Sequence, residues 1–493
     1  MTAFRFERSQ VPPAALALLV CAVAGATVAV RAPAAPLIGI AVALALVSLD
    51  WRYGVTTLLV VLPFSGVPVF MAGRAGLAVR DAAIVVPLYM AFALATTRWR
   101  DAVLPRMGIA LPALALFAIV VLAHVAMSPS LVVGAIGTKV WLAYIPMIAV
   151  GYHFVRTRAD FERALRLTAL LGLIPAAIAV AEWFIATRYP QTGVWTNNFG
   201  PFRHLYGSWY AEVSTSGVAW PVGGHTFIVP RVPSTFTSST QYYLFGMVAF
   251  AGGLSQALRT GSPRWTLCAF ALAMGVVASG QRQGYVAVPL MAVVSLLLAR
   301  SGRNQIVVLA LAGCGSLIVL TALGSAPMTL LSAIPGHARE QMATAWGEFQ
   351  GSLSGGIVGH GTGWDTQAAL RYGGSASTRY IENWYAKAVL ELGFAGLAAI
   401  AVALASLQWR LLTALRGIDA TSRRAAAPLC VLLLVMTATL FKGPVLDLDP
   451  LNVYFWLLIG MLLSYVRIGR LDGDASRVGA PAPQGAAPAE ATA

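Results

Sequence analysis

One feature constrains this chain more than any other: apolar stretches long enough to cross about 30 Å of hydrocarbon follow one another along nearly its whole length. They lie near 12–30, 34–49, 55–72, 82–97, 107–127, 130–152, 167–186, 241–257, 265–280, 284–299, 305–323, 386–406, 425–441 and 451–466, about fourteen in all. A backbone in hydrocarbon has no water to bond, so runs of this length form helices. The first run follows Arg5 and Arg8 as a signal peptide would, but its apolar core is longer than a signal's, and it reads as a helix. Only 11% of the 493 residues are charged, against about 25% in a soluble domain. That argues against a soluble enzyme, a nucleic-acid binder or a disordered scaffold. The expected fold is an all-α polytopic membrane protein with about 12–14 transmembrane helices in a single domain over 1–470. The tail 471–493, rich in Ala, Pro and Gly, carries no apolar pattern and is expected to be disordered.

Charge supplies the orientation. The chain holds 34 Lys and Arg against 19 Asp and Glu, a formal +15. With the N-terminus inside and strict alternation, the inside segments collect 21 of the 34, every one an arginine and almost all within a few residues of a helix end. This is the positive-inside distribution, with both termini inside. The four cysteines, Cys21, Cys268, Cys314 and Cys430, sit within apolar runs without metal-ligand spacing and are read as packing residues.

Two connections, 187–240 and 324–385, break the pattern of short loops, and both fall outside. Loops of this length are functional or disordered as a rule. These are rich in aromatics (Trp195, Trp209 and Trp220 in the first, Trp346, Trp364 and Trp384 in the second), which disordered segments lack. Both are therefore expected to fold on the outer face, with an amphipathic helix over 337–350.

The ionisable residues in or beside the spans are Asp81, His124, Lys139, Glu182, Arg282, Lys387 and Glu391. Alternation places every one in the outer half of its helix or at its outer end. Charge in hydrocarbon costs about 2.5 kcal/mol or more and marks cavities and functional sites. Lys139 alone could snorkel outward; the set as a whole points to a polar cavity opening outside. Arginine suits a pyrophosphate because it stays charged and binds two oxygens at once. The outside arginines available for this are Arg74, Arg80, Arg188, Arg203, Arg231, Arg282, Arg339, Arg371 and Arg379, and Arg282 sits in a tight turn, ASGQRQGY at 278–285.

Three segments resemble the O-antigen ligase and polymerase superfamily of bacterial envelope glycosyltransferases. RVPSTFTSSTQYYLFGMVAF at 231–250 is similar to the family's Arg-containing stretch that closes the first large outside loop. SGQRQGYVAVPL at 279–290 is similar to its Ser-Arg-Gly turn. GIVGHGTGWDTQ at 356–367, followed by ENWYAKAVLELGFAGL at 382–397, resembles its Gly-rich stretch, its His-Asn helix start and the Glu-x-Gly-x-x-Gly-Leu continuation.

The resemblance implies a GT-C-like membrane glycosyltransferase in the bacterial inner membrane, with a periplasmic active site and cytoplasmic termini. Its donor would be a glycan on a polyprenyl diphosphate, with no nucleotide sugar and no obligatory metal or cofactor. An acceptor hydroxyl attacks the anomeric carbon and the lipid diphosphate leaves. Arg231 and Arg282 would bind the diphosphate and stabilise its departure. Lys139, Arg339, Arg379 and Asn383 are further substrate-binding candidates. Where ligases carry His before Asn, this chain has Glu382 before Asn383; a desolvated carboxylate can serve as general base. That departure favours a polymerase of lipid-linked repeat units over a ligase to lipid A core or protein.

His337, His360 and Asp365 are candidates for acid–base or sugar contacts. Equally, His337 could cap its helix, His360 could sit in a Gly-rich turn, and Asp365 could be an N-cap. GHGTG at 359–363 invites a phosphate-loop reading, but no strand precedes it, and a close-packed turn is the expected role. Lys387 and Glu391, at i and i+4, are read as a structural pair. Membrane lipids, a chain-length regulator and a flippase are the expected partners, and nucleic acid is not. A lipid-linked oligosaccharide flippase is the competing class, but it calls for two similar halves, and no internal repeat is visible.

Overall fold

The structure, a computed structural model, describes residues 50–67, 81–97, 105–188, 218–222, 225–229, 231–299, 327–364 and 381–478. The expected spans 12–30, 34–49 and 305–323, and the tail from 479, lie outside the described residues. The described chain is helical apart from one hairpin. The elements are α1 (Trp51–Val61), α2 (Val86–Thr97), α3 (Ala110–Ala123), α4 (Leu131–Leu142), α5 (Met147–Phe154), α6 (Arg158–Arg188), β1 (Val218–Val222) and β2 (His225–Val229). They continue with α7 (Ser239–Thr260), α8 (Pro263–Ala278), α9 (Arg282–Ala299), α10 (Pro327–Ser352), α11 (Trp384–Ala414), α12 (Ala420–Thr439) and α13 (Leu451–Val478). The strands pair antiparallel, Val218 opposite Val229 and Val222 opposite His225.

Among the described residues, seven helical segments are long and apolar enough to cross a membrane: 110–127, 131–154, 158–184, 282–299, 384–417, 420–439 and 451–471. Large apolar side chains face outward on α2, α3, α6, α8 and α9, among them Leu94, Ile119, Phe184, Leu267 and Leu297. Water would not tolerate that coat, whereas lipid requires it. The protein is a multi-pass α-helical membrane protein.

Helix association in lipid depends on close packing rather than on water expulsion, and glycines provide it. A Cβ on Gly460 of α13 would collide with the Ile148 carbonyl of α5, and one on Gly151 of α5 with the Leu457 carbonyl of α13. The centre is α7, buried from Gln241 to Leu258. It is long enough to span but, with Gln241, Ser255 and Gln256 along it, is less apolar than the seven; the surrounding protein buries those polar residues.

Several boundaries differ from expectation. Within the described residues the run 55–72 forms a helix at Trp51–Val61 followed by a short turn at Leu62–Phe64, the helix expected from 167 starts at Arg158, and the one expected to end at 406 runs to Ala414. The span 130–152 is two helices, because Pro146 has no N–H to continue the ladder and a tight turn replaces it. The last helix runs to Val478, so the tail expected from 471 begins as helix. The amphipathic helix expected over 337–350 is longer, starting at Pro327 and ending at Ser352.

The two ends of the bundle differ chemically. One gathers the basic helix ends: Arg158 pairs with Asp419 at 2.8 Å, and Arg259 and Arg166 each reach Glu162 at 3.3 Å. The other end holds the intramembrane charges described next.

Candidate functional site

At that second end an irregular segment, 231–238, enters the bundle and is buried from Val232 to Thr237. Non-helical backbone at membrane depth survives only where protein satisfies its polar groups. Here four of the amides have identifiable partners. The Val232 amide donates to the Ser279 carbonyl at 3.2 Å, and the Phe236 amide to the Pro233 carbonyl at 3.0 Å. The Ser234 amide donates to Glu182 Oε2 at 2.9 Å, and the Thr237 amide to Gln241 Oε1 at 3.1 Å. The intramembrane carboxylate of Glu182 thus holds the loop. Ser234 sits at φ 54°, and its hydroxyl donates to the Pro175 carbonyl at 2.6 Å.

The turn 279–282 is clamped to the same place. Gln281 donates through Nε2 to Ser239 Oγ at 2.7 Å and to Thr240 Oγ1 at 3.0 Å, at the start of α7. The Val232–Ser279 bond therefore brings Arg231 and Arg282 together, 51 positions apart in sequence but repelling each other through their charges. Burial pushes the Arg231 guanidinium below its ordinary value, and the negative charge of Glu382 works against that. Glu340, on α10, acts in the same favourable sense on Arg282. Arg231 Nε is buried and makes no hydrogen bond among the described residues. Two half-buried guanidinium groups with two carboxylates nearby form a cationic focus suited to a polyanion.

Glu382 lies at the rim, its side chain 49% exposed and paired with Lys442 at 2.6 Å, in place of the desolvated setting expected for it. Asn383 next to it is fully buried and caps α11: Oδ1 accepts from the amides of Tyr385 and Ala386 at 3.0 and 3.1 Å, and Nδ2 donates to the Ala345 carbonyl at 2.9 Å. The Asn383 amide in turn donates to Glu348 Oε2 at 2.9 Å, locking α10 onto the start of α11. The substrate-binding role expected for Asn383 thus meets a side chain already committed to capping.

The Gly-rich segment is a close-packed turn. Its successive amides all go to protein acceptors: Gly359 to the Gly355 carbonyl, His360 to Leu390, Gly361 to Glu391 and Thr362 to His124, and Gly363 to the Glu391 carboxylate at 3.0 Å. Nothing remains to cradle a phosphate. The acceptors exist because α11 breaks at Gly393, whose φ of 67° frees the preceding carbonyls. Glu391 Oε2 also accepts from Trp141 Nε1 at 2.7 Å. Lys387 pairs with Asp447 at 2.5 Å and lies 4.8 Å from the centre of the Trp141 ring. The structure therefore gives each member of the expected Lys387–Glu391 pair a partner on another element.

Lys139 is half-exposed and pairs with Asp81 at 2.6 Å, and Asp81 also accepts from the Tyr144 hydroxyl. His360 stacks on Trp364, ring centres 5.3 Å apart. His337 and Arg339 lie on α10, with Arg339 exposed. Arg379 and Asp365 lie outside the described residues. The structure thus joins Arg231, Arg282 and Glu382, and it adds Glu340, Lys442 and Asp447, which sequence reasoning passed over. Lys442 and Asp447 stand 60 positions from their partners and carry no motif; an acidic and a basic residue in the short 440–450 connection between two apolar runs was the signal available. Compared with known proteins, the chain matches no family model and no curated protein.

Proposed function

We propose that this protein is a membrane glycosyltransferase that polymerises polyprenyl-diphosphate-linked oligosaccharide units at the periplasmic face of a bacterial inner membrane. The observation that carries the reading is the meeting of Arg231 and Arg282 beside Glu382, three residues from separate segments, at the end of the bundle away from the basic helix termini. In this mechanism the two guanidinium groups hold the donor diphosphate. The acceptor hydroxyl oxygen forms a bond to the anomeric carbon as the bond from that carbon to the diphosphate oxygen breaks. The electron pair leaves with the diphosphate, where both arginines neutralise it. The hydroxyl proton passes to Glu382, which Lys442 keeps in position. Similarity to the O-antigen ligase and polymerase superfamily in the segments at 231–250, 279–290, 356–367 and 382–397 supports the same chemistry.

Two experiments test this. Arg282→Ala lowers polymer formation by about 10²–10³ with protein level unchanged, the scale for one oxyanion-stabilising donor; full-length polymer from that variant overturns the proposal. Deleting the gene leaves single lipid-linked repeat units to accumulate. Long, unattached lipid-linked polymer in the deletion strain would instead identify a ligase.

A further inference from the structure

Of the 34 basic residues only Lys139, Lys387 and Lys442 are lysines, and the rest are arginines. Each lysine meets a carboxylate: Lys139 meets Asp81 at 2.6 Å, Lys387 meets Asp447 at 2.5 Å and Lys442 meets Glu382 at 2.6 Å. All three pairs belong to the end of the bundle that carries the arginine pair. An ammonium is a compact point charge, whereas a guanidinium is a broad planar fork. Lysine therefore suits a place where one carboxylate is held through a narrow contact. Two of the three pairs act on the connection 440–450, between α12 and α13.

This connection is a strap fastened to the start of α11 at three points. The Trp384 amide donates to the Leu440 carbonyl at 2.9 Å. Lys442 Nζ donates to Glu382 Oε2 at 2.6 Å. Asp447 accepts from Trp384 Nε1 at 3.1 Å on Oδ1 and from Lys387 Nζ at 2.5 Å on Oδ2. Between the last two points the backbone is a run of tight turns. Gly443 donates to the Thr439 carbonyl at 3.0 Å, Val445 to Gly443 at 2.8 Å and Asp447 to Pro444 at 2.9 Å, and the Pro444 ring fixes one φ. A segment this short and this bonded carries position from one end to the other, so the grip on Asp447 sets where Lys442 stands. That grip is buried: Lys387 is 3% exposed on its side chain, its ammonium lies 4.8 Å from the centre of the Trp141 ring, and Trp141 packs on Trp384 with ring centres 4.9 Å apart. A buried ion pair adds little stability over apolar side chains of the same shape, and its best-attested use is to fix one arrangement among several. Here the arrangement fixed is that of the strap.

We infer that Asp447 is a positioning residue for Glu382: gripped by Lys387 and Trp384, it fixes the strap so that Lys442 meets the Glu382 carboxylate and holds it at the rim. This rests on the reading of Glu382 as the group that takes the acceptor's proton, so the test measures placement and turnover separately. Asp447→Asn alone would strand the buried Lys387 charge. The working variant therefore joins Lys387→Met to Asp447→Asn, which removes both charges and leaves an acceptor for the Trp384 indole. Full-length protein in nanodiscs, taken from the folded peak in size exclusion, is treated with a carbodiimide, which condenses a carboxylate and an amine in contact into an amide and carries off the water as urea. With three lysines in the chain, mass spectrometry assigns the peptide linked between Glu382 and Lys442 without ambiguity. Its yield falls about tenfold in the paired variant. Turnover is measured on the lipid-linked units that accumulate in the deletion strain; kcat falls about tenfold or more and KM stays the same. In a Glu382→Gln background the paired change lowers turnover no further, because no carboxylate is left to place. Wild-type cross-linking or wild-type turnover in the paired variant overturns the inference. A loss that adds to that of Glu382→Gln overturns it as well, because the pair would then serve the fold at large. Wild-type turnover from Glu382→Gln alone removes the underlying base reading instead.

Discussion

Adjacent residues at this site have opposite duties. Glu382 is exposed at the rim with its carboxylate on Lys442, whereas Asn383 is buried and spends its side chain on the start of α11. Removing an N-cap side chain costs about 1–2 kcal/mol, and here it also strands the Ala345 carbonyl. Asn383→Ala is therefore expected to lower the melting temperature in detergent while the folded fraction keeps its turnover. Glu382→Gln should do the reverse, lowering turnover about 10²-fold or more without moving the melting temperature; assay of both variants side by side separates the roles. Sequence alone could not divide the pair, since an exposed and a buried polar residue read alike next to each other. Glu182 shows the same limit. Its depth marked it as important, but only the path of 231–238 shows that its work is to accept the Ser234 amide.

At the scale of elements, the break in α11 and the Gly-rich turn form one unit. Gly393 cannot be replaced without strain, because its φ is positive and a Cβ would strike the Ile357 carbonyl. Gly393→Ala is expected to cost more than about 2 kcal/mol and to be read as loss of folded protein in fluorescence-detected size exclusion. Glu391→Ala leaves the Gly363 amide and the Trp141 indole N–H without their carboxylate, a penalty of about 3 kcal/mol, measurable as a large drop in melting temperature. At the opposite end, Asp419 caps α12. Burial alone would raise its carboxyl, but the Ser422 amide and hydroxyl and the Arg158 guanidinium outweigh that and hold it below the ordinary range. Its contribution is present at neutral pH and is lost as pH falls below about 4. The stability gap between wild type and Asp419→Asn should therefore close on acidification, as thermal melts from pH 7 downward would reveal. Helix positions were legible from apolar runs of 20 residues or so; the Gly393 break, inside such a run, was not, since hydropathy carries no record of φ.

For the whole molecule, alternation of apolar runs was enough to place Asp81, Lys139, Glu182, Arg282, Lys387 and Glu391 toward one end, and the packed bundle gathers them there with their partners. Orientation is testable directly. In a background without the native cysteines, a Cys at exposed Ser354 should react with a membrane-impermeant maleimide in osmotically shocked cells, whereas one at exposed Arg163 should react only after lysis. The reverse pattern would place the arginine pair in the cytoplasm.

The ion pairs Glu382–Lys442 and Lys387–Asp447 tie the start of α11 to the short connection that precedes α13. During translation, then, both arginines leave the ribosome long before the two side chains that fix Glu382 and Lys387. A nascent chain that has threaded everything up to α11 through the translocon still has an unfinished rim, and only arrival of the 440–450 connection completes it. The cluster around Arg231, Arg282 and Glu382 therefore takes its final form only after that late connection has emerged.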